Sequence, residues 1–411
     1  MDLQHYKCSD RLRLLLRREA DRPMQIDTVD AILVDLPTVR EHNLARQKIT
    51  QQTLVLLRIK TDEGLEGLGE ATTIGGLSYA EESPESIKLT LDRYIAPLLV
   101  GTDPFQTNSA LRDIERHVVG NRFAKSAVET ALLDIKAKAL GVPVHQLFGG
   151  KLVSRMECVW GLASGDTEKD IEEAVEALAK RTHRAFKIKV GQRDLDPDIA
   201  HVTAIAKRVG SKASLRVDAN QSWDEVTATR AMSAFMDLGI EVVEQPVAKT
   251  NIDAMVRLSE RFALPVMADE SVSTPEEALA FAKVRAASVF ALKISKSGGL
   301  SGTRRVAAIA ESAGIGLYGG TMLEGSIGTI ASLHVFSSIS QPFSFGTELF
   351  GPLLLRDDIV LARPAYGDFS IVVPDTPGIG VEIDEDKLAH YRRDKGSRPL
   401  PVASTKRSER A

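Results

Sequence analysis

Three acidic residues, Asp218, Glu244 and Asp269, each close a short apolar run, and they lie 26 and 25 residues apart in the chain. That interval is about one strand–helix unit, so it sets the carboxylates at the ends of three neighbouring parallel strands. Three carboxylates converging in a low-dielectric mouth repel one another unless a cation sits among them. All-oxygen ligands suit a hard ion, Mg²⁺ or Mn²⁺, with water or substrate completing the octahedron. The competing reading is that each acid caps the helix that follows. It is adequate for any one acid and poor for three in register.

Lysines mark two more runs. In Phe186-Lys187-Ile188-Lys189-Val190, strand alternation puts both lysines on one face and the three apolar residues on the other. The apolar face should meet surrounding helices, which turns the lysines inward. Lys293, in Ala291-Leu292-Lys293-Ile294, repeats the arrangement 24 residues after Asp269. To act as a base near neutrality, such a lysine must fall from ~10.4 to near 7, or ~4 kcal/mol of differential interaction. Burial beside another lysine and a metal is the expected source of that fall. The alternative for any single lysine is that it snorkels out of the mouth.

These residues need a scaffold that repeats. After Gly149-Gly150 short apolar runs alternate with helical patterns: Glu157–Ala163, Phe186–Val190, Leu215–Asp218, Glu241–Glu244, Val266–Ala268, Val289–Ile294, Ile315–Gly319 and Ser344–Thr347. Between them, Ile171, Ala174, Val175, Leu178 and Ala179 share a helical face, as do Ile199, Val202, Ile205, Ala206 and Val209. Eight short strands with right-handed crossovers predict a (β/α) barrel, with a doubly wound sheet as the runner-up. Ahead of it lie strands over Ile26–Leu36 and Thr53–Thr61, a hairpin turn at Asp62-Glu63-Gly64, and helices from Pro84 to Leu140. Pro37–Ile49 is polar and is expected as a flexible loop. The division is then an extension over 1–23, an α+β domain over 24–150, a barrel over 151–355, a segment over 356–393 packing back on the first domain, and a disordered tail over 394–411.

Composition removes several classes. At 411 residues, with a formal charge of −4 and pI near 6.1, the chain shows no basic face for nucleic acid. Its two cysteines, Cys8 and Cys158, have no metal-ligand spacing and argue against a disulfide framework. No apolar run approaches the ~20 residues of a membrane span. The basic, leucine-rich stretch Arg11–Arg18 lacks a cleavage site and makes a poor signal peptide, so the cytoplasm is the expected location. Gly298-Gly299-Leu300-Ser301-Gly302 could cradle phosphate at a helix start, but it lacks the P-loop lysine. No Gly-x-Ser-x-Gly elbow or His-Glu-x-x-His helix is present.

Taken with Val217-Asp218-Ala219-Asn220-Gln221, Glu244-Gln245-Pro246, Ala268-Asp269-Glu270-Ser271, Gly319–Ser326 and Gly346–Pro352, these features resemble the enolase superfamily in its muconate cycloisomerase subgroup. The resemblance runs from about Met24 to Arg393. It implies a (β/α)7β form of the TIM barrel under an N-terminal capping domain, with Asp218, Glu244 and Asp269 as ligands of Mn²⁺ or Mg²⁺. Lys189 would transfer the proton, Lys187 would be its electrostatic partner, and Lys293 would face the other side of the substrate. Glu348 matches the family's acidic residue near the substrate. Ile74-Gly75-Gly76-Leu77-Ser78-Tyr79 resembles a lid, with Ile74 and Tyr79 as substrate contacts. Glu324 is either a substrate contact or a helix-capping acid.

The implied reaction is reversible lactonization of a small dicarboxylate, cis,cis-muconate, through an enolate, in aromatic (catechol) degradation. The implied assembly is a homo-oligomer, often an octamer. Racemase-like relatives carry a His at the seventh strand, where this chain reads Leu317-Tyr318-Gly319-Gly320-Thr321, and His334 falls in a helix further on. Chloromuconate cycloisomerases, dipeptide epimerases and o-succinylbenzoate synthases stay open as alternatives. A non-catalytic binding protein would be expected to have lost a ligand or a lysine.

Overall fold

The computed structural model describes residues 23–45 and 47–393. The tail expected from residue 394 lies outside the described residues, as does the N-terminal extension apart from Pro23. Three antiparallel strands come first, β1 (Ile26–Leu44), β2 (Gln47–Thr61) and β3 (Glu66–Thr72), in the order β1-β2-β3. The turn before β3 uses Gly64 at φ +80°, a conformation that a Cβ disfavours.

Among its described residues, the segment expected as a flexible loop is strand up to Leu44 and again from Gln47. After a register shift between Pro37 and His42, β1 continues, pairing His42 with Ile49 and Asn43 with Lys48. Distant partners hold it there. Arg40 grips Glu173 at 2.9 Å and donates to the Gly161 carbonyl at 2.9 Å. Asn43 Nδ2 donates to the carbonyls of Ala163 and Ser164 at 3.2 and 2.6 Å. Side-chain donors that locally signal a loop here find acceptors on the barrel, which offsets much of the cost of burying them, while Asn43 Oδ1 stays without a partner.

Helices α1 (Pro84–Thr90), α2 (Thr107–His117) and α3 (Arg122–Leu140) follow. Ala124, Ala127 and Ala131 of α3 are fully buried, and Gly67 and Gly69 of β3 lie against this helix. A Cβ on Gly67 would come 2.6 Å from Ile135 Cγ1, so this close packing depends on small residues.

After a short β4 (Arg155–Glu157), seven parallel strands form one sheet in sequential order: β5 (Val159–Leu162), β6 (Ala185–Lys189), β7 (Ser214–Asp218), β8 (Ile240–Glu244), β9 (Val266–Ala268), β10 (Val289–Leu292) and β11 (Gly316–Gly319). The crossovers are α4 (Thr167–Ala179), α5 (Leu195–Val209), α6 (Glu225–Phe235), α7 (Ile252–Arg261), α8 (Pro275–Val284) and α9 (Leu300–Ala313). Sequential parallel order is barrel topology, and the doubly wound alternative falls. The eighth stave is only a bridge. Thr347 pairs in parallel with Cys158 on one side and Gly319 on the other, closing the ring.

Val159, Ala185, Val242, Met267, Val289, Ala291 and Tyr318 form a separate apolar cluster inside the ring. It makes the barrel a packed core with its chemistry at one end. Beyond Ser337, the end of α10 (Ser326–Ser337), and Leu355 the chain forms β12 (Tyr366–Gly367) and β13 (Ser370–Val372), which adds to β4. Helix α11 (Glu385–Tyr391) then returns it to the first sheet, where Arg392 bridges Val34 and Arg393 pairs with Asp35 at 2.6 Å. Among the described residues no helix is long and apolar enough to cross a membrane.

Candidate active site

Strand register builds the site. β6 sets Lys189 opposite Asp218, and β7 sets Asp218 opposite Glu244, so one row crosses three strands at their carboxyl ends. Asp269 follows the last residue of β9, the next strand. None of the three acids caps a helix. The caps are Asp224 for α6, Asn251 for α7 and Thr274, in a capping box with Glu277, for α8. The carboxylates are left for the mouth.

The lysines turn inward, and the acids meet them. Lys187 Nζ donates to Glu244 at 2.8 Å and to Glu348, and lies 3.3 Å from Asp218. Its ammonium sits 5.3 Å above the Tyr318 ring, on the plug beneath. Lys189 Nζ reaches Asp218 at 2.5 Å and Asn220 Oδ1 at 3.2 Å. Lys293 Nζ reaches Asp269 at 2.5 Å and the Tyr79 hydroxyl at 2.5 Å. Lys296, on the loop after β10, donates to Asp269 Oδ1 at 2.8 Å and to the Asp269 carbonyl at 2.6 Å.

The protein's own groups do not supply the expected fall in basicity at Lys187 or Lys293. Burial pulls both ammonium groups down, but the carboxylates outweigh it. Glu244 and Glu348 hold Lys187 well above the ordinary lysine value, and Asp269 and Glu244 raise Lys293. Lys296 moves the other way, lowered by burial and by the Lys293 charge against the pull of Asp269 and Glu270. Asp269 is held well below its usual range by Lys293 and Lys296 in spite of burial. Glu244 behaves oppositely: burial and then repulsion from Asp218 push it well up. Burial, Asp269 and Asp218 raise Glu270 to about 7.

This pattern bears on a metal ion. Among the described residues no group of three His, Cys, Asp or Glu side chains stands as a ready cage, because ammonium groups engage the carboxylate oxygens. The donor set nevertheless fits a hard divalent cation. Glu244 Oε1 and Glu270 Oε2 are buried with no hydrogen-bond partner, and an unpaired buried carboxylate oxygen is costly. A cation between Asp218, Glu244 and Asp269 would satisfy Glu244 and quench the repulsion that raises it.

A single pocket joins these groups to the first domain. Its walls include Lys187, Lys189, Asp218, Asp269, Lys293 and Glu348 from the barrel, and Ile74, Ser78 and Tyr79 from the loop after β3. Gly75 and Gly76, at φ +61° and +66°, turn that loop over the mouth. Glu324 does not line the pocket. Its carboxylate accepts from Thr321 Oγ1 at 2.5 Å and from the Met322 amide at 2.9 Å. Nor does it cap α10, whose first amides go to Glu70 and Asp358.

Two other expectations are settled by hydrogen bonds. The start of α9, weighed as a phosphate cradle, is filled by Glu129, whose carboxylate accepts from the Ser301 amide at 3.2 Å. His334 is buried in α10 with Nε2 at 3.1 Å from the Ile379 carbonyl. The reading of single residues missed Asn220, Glu270, Lys296 and His42. The first two stand within motifs already noted, one or two positions after a strand-end acid. Lys296 stands one helical turn after Lys293. His42 had no signal, since the barrel lysines and acids whose pocket it lines stand more than 100 residues away.

Sequence and structure comparisons agree with this geometry. Two family profiles match: "Mandelate racemase / muconate lactonizing enzyme, N-terminal domain" over residues 28–149 and "Enolase C-terminal domain-like" over residues 169–387. Muconate cycloisomerase 1 of Pseudomonas putida is 50% identical over 370 residues, spanning 90% of this chain and 98% of the relative. A chloromuconate cycloisomerase of Cupriavidus pinatubonensis is 44% identical, over 90% of this chain and 100% of the relative. The crystal structure of muconate lactonizing enzyme from Pseudomonas fluorescens complexed with muconolactone superposes with a TM-score of 0.89 at 52% identity, covering 90% of this chain and 100% of that one. With a capped barrel, strand-end acids and facing lysines in a chain matched along nearly its whole folded length, this protein belongs to the mandelate racemase/muconate lactonizing enzyme family of the enolase superfamily.

Proposed function

We propose that the chain is an isomerase, a muconate cycloisomerase, which closes cis,cis-muconate reversibly to muconolactone. The observation that carries this reading is the placement of Lys189 at the end of the second barrel strand and Lys293 just after the sixth, lining one pocket, with the strand-end acids between them. One substrate carboxylate adds across the conjugated double bond. The electron pair moves to the other carboxylate, and Lys189 delivers a proton to its α carbon. The dianion thereby becomes a monoanion, with one proton taken up per lactone formed. In reverse, Lys189 removes that proton.

Lys187 would supply positive charge beside Lys189 while Glu348 and Glu244 hold it in place. Lys293 would complement the substrate from the opposite wall, and Ile74 and Tyr79 would close over it and exclude water. Asp218, Glu244 and Asp269 would hold a divalent cation, Mn²⁺ or Mg²⁺, which supplies Lewis-acid stabilisation of the charge developing on the carboxylate. A homo-octameric assembly rests on the resemblance to the family.

The test is a substrate screen with Mn²⁺ present, following loss of muconate ultraviolet absorbance, in parallel with chloromuconate and dipeptides. Turnover of muconate that disappears on EDTA treatment and returns with Mn²⁺ or Mg²⁺ is expected. Preference for chloromuconate, which the 41–44% identity to several chloromuconate cycloisomerases makes the second reading, would redirect the assignment. No turnover of either compound would overturn it.

A further inference from the structure

His42 lines the same pocket from the β1 extension and is 1% exposed. Its Nδ1 lies 3.3 Å from Arg40 Nη1. A guanidinium has donors and no acceptor, so this contact makes Nδ1 the acceptor and leaves the ring proton on Nε2. Arg40 is itself fixed by Glu173 and the Gly161 carbonyl, so the tautomer is set by a rigid neighbour. Nε2 makes no hydrogen bond to the protein among the described residues, and it is not among the fully enclosed unpaired atoms. The ring is seated between Arg40 and Phe350, whose ring centroid lies 6.2 Å away. A Cβ on Gly161 would come 3.4 Å from His42 Cε1 and 3.2 Å from Phe350 Cζ, so glycine leaves this seat open.

Most other side-chain donors in the pocket already have acceptors, Gln221 Nε2 being an exception among the described residues. Lys187, Lys189 and Lys293 are bonded to carboxylates, Thr321 Oγ1 donates to Glu324, and Ser78 Oγ donates to the Ile74 carbonyl. A dicarboxylate with one end at a cation held by Asp218, Glu244 and Asp269 would need a donor at its other end. We propose that the Nε2–H of His42 holds the remote carboxylate of the substrate and aims its oxygen at the double bond.

Burial and the nearby charges of Arg40, Lys189 and Lys187 keep this imidazole neutral. That suits the task, because a neutral N–H orients an attacking carboxylate without forming an ion pair that would blunt its nucleophilicity. The inference rests on the dicarboxylate reading and makes His42 a specificity residue supplied by the capping domain.

The test compares His42→Leu and His42→Gln with the parent enzyme on cis,cis-muconate. Leu removes the donor, and Gln keeps an N–H near the position of Nε2. His42→Leu should raise KM about tenfold and lower kcat, and His42→Gln should recover most of both losses. If the parent turns muconate over and His42→Leu keeps its KM and kcat, this inference fails alone; if the parent does not turn it over, the functional reading fails. Should His42→Leu not fold, ¹⁵N spectra of histidine-labelled Lys189→Ala decide. The His42 Nε2–H resonance should move on adding muconate, and an unmoved resonance overturns the proposal.

Discussion

The phenolic oxygen of Tyr79, on the loop after β3, accepts a hydrogen bond from Lys293 Nζ at 2.5 Å. The same hydroxyl donates to Asp269, and the ammonium stands 4.5 Å from the ring centroid. Burial, and then Asp269 and Glu270, raise the phenol well above its ordinary value, so it stays protonated and can donate. The capping domain therefore touches both a barrel lysine and a strand-end acid through one side chain.

Tyr79→Phe keeps the ring and removes this link. Losing a hydrogen bond worth about 1 kcal/mol predicts a rise in KM of about fivefold on muconate, with a smaller change in kcat. Steady-state kinetics decide it, and an unchanged KM would show that the hydroxyl plays no part in closing the pocket.

Lys189→Ala should lower kcat by about 10³-fold, the range for loss of a positioned proton donor. Muconate should still bind, because the removed amine moves a proton and does not hold the substrate carboxylates. Calorimetry on the variant reads the binding, and activity near that of the parent would exclude Lys189 as the proton donor.

Gly69→Ala tests the seam between β3 and α3. The added Cβ would meet the Ala127 carbonyl and come 3.1 Å from Ala127 Cα, where backbone cannot yield cheaply. Overpacking of this kind costs about 1–3 kcal/mol, read as a lower denaturant midpoint at an unchanged slope. A midpoint equal to that of the parent would mean the seam is looser than its contacts indicate.

His334 carries a pH prediction. Burial holds its imidazole down to about 4, while the unfolded side chain titrates near 6.5. A depressed folded value means that stability is whole above pH 6.5 and falls as pH drops toward 4, by on the order of 3 kcal/mol. His334→Gln, which keeps a donor toward the Ile379 carbonyl, should lose less stability over that window. Unfolding free energies measured from pH 7.5 to 4 give the difference directly, and parallel curves would refute the assignment.

The chain's own pattern determined the repeating frame. Apolar runs at intervals of about 25 residues can bury themselves only as parallel strands under helices, and period-two alternation settles which way Lys187 and Lys189 point. The strand-end positions of Asp218, Glu244 and Asp269 follow from the same periodicity. Tertiary structure decided what depends on distant partners. The strand segments on either side of residue 46 pair up because the donors of Arg40 and Asn43 find acceptors on the barrel, and no local propensity records that. Lys187 and Lys293 are raised because strand register brings carboxylates to their ammonium groups, and burial alone predicts the opposite sign. His42 enters the pocket for the same reason. A side chain's neighbours across 100 or more residues are set by packing, and packing is not periodic.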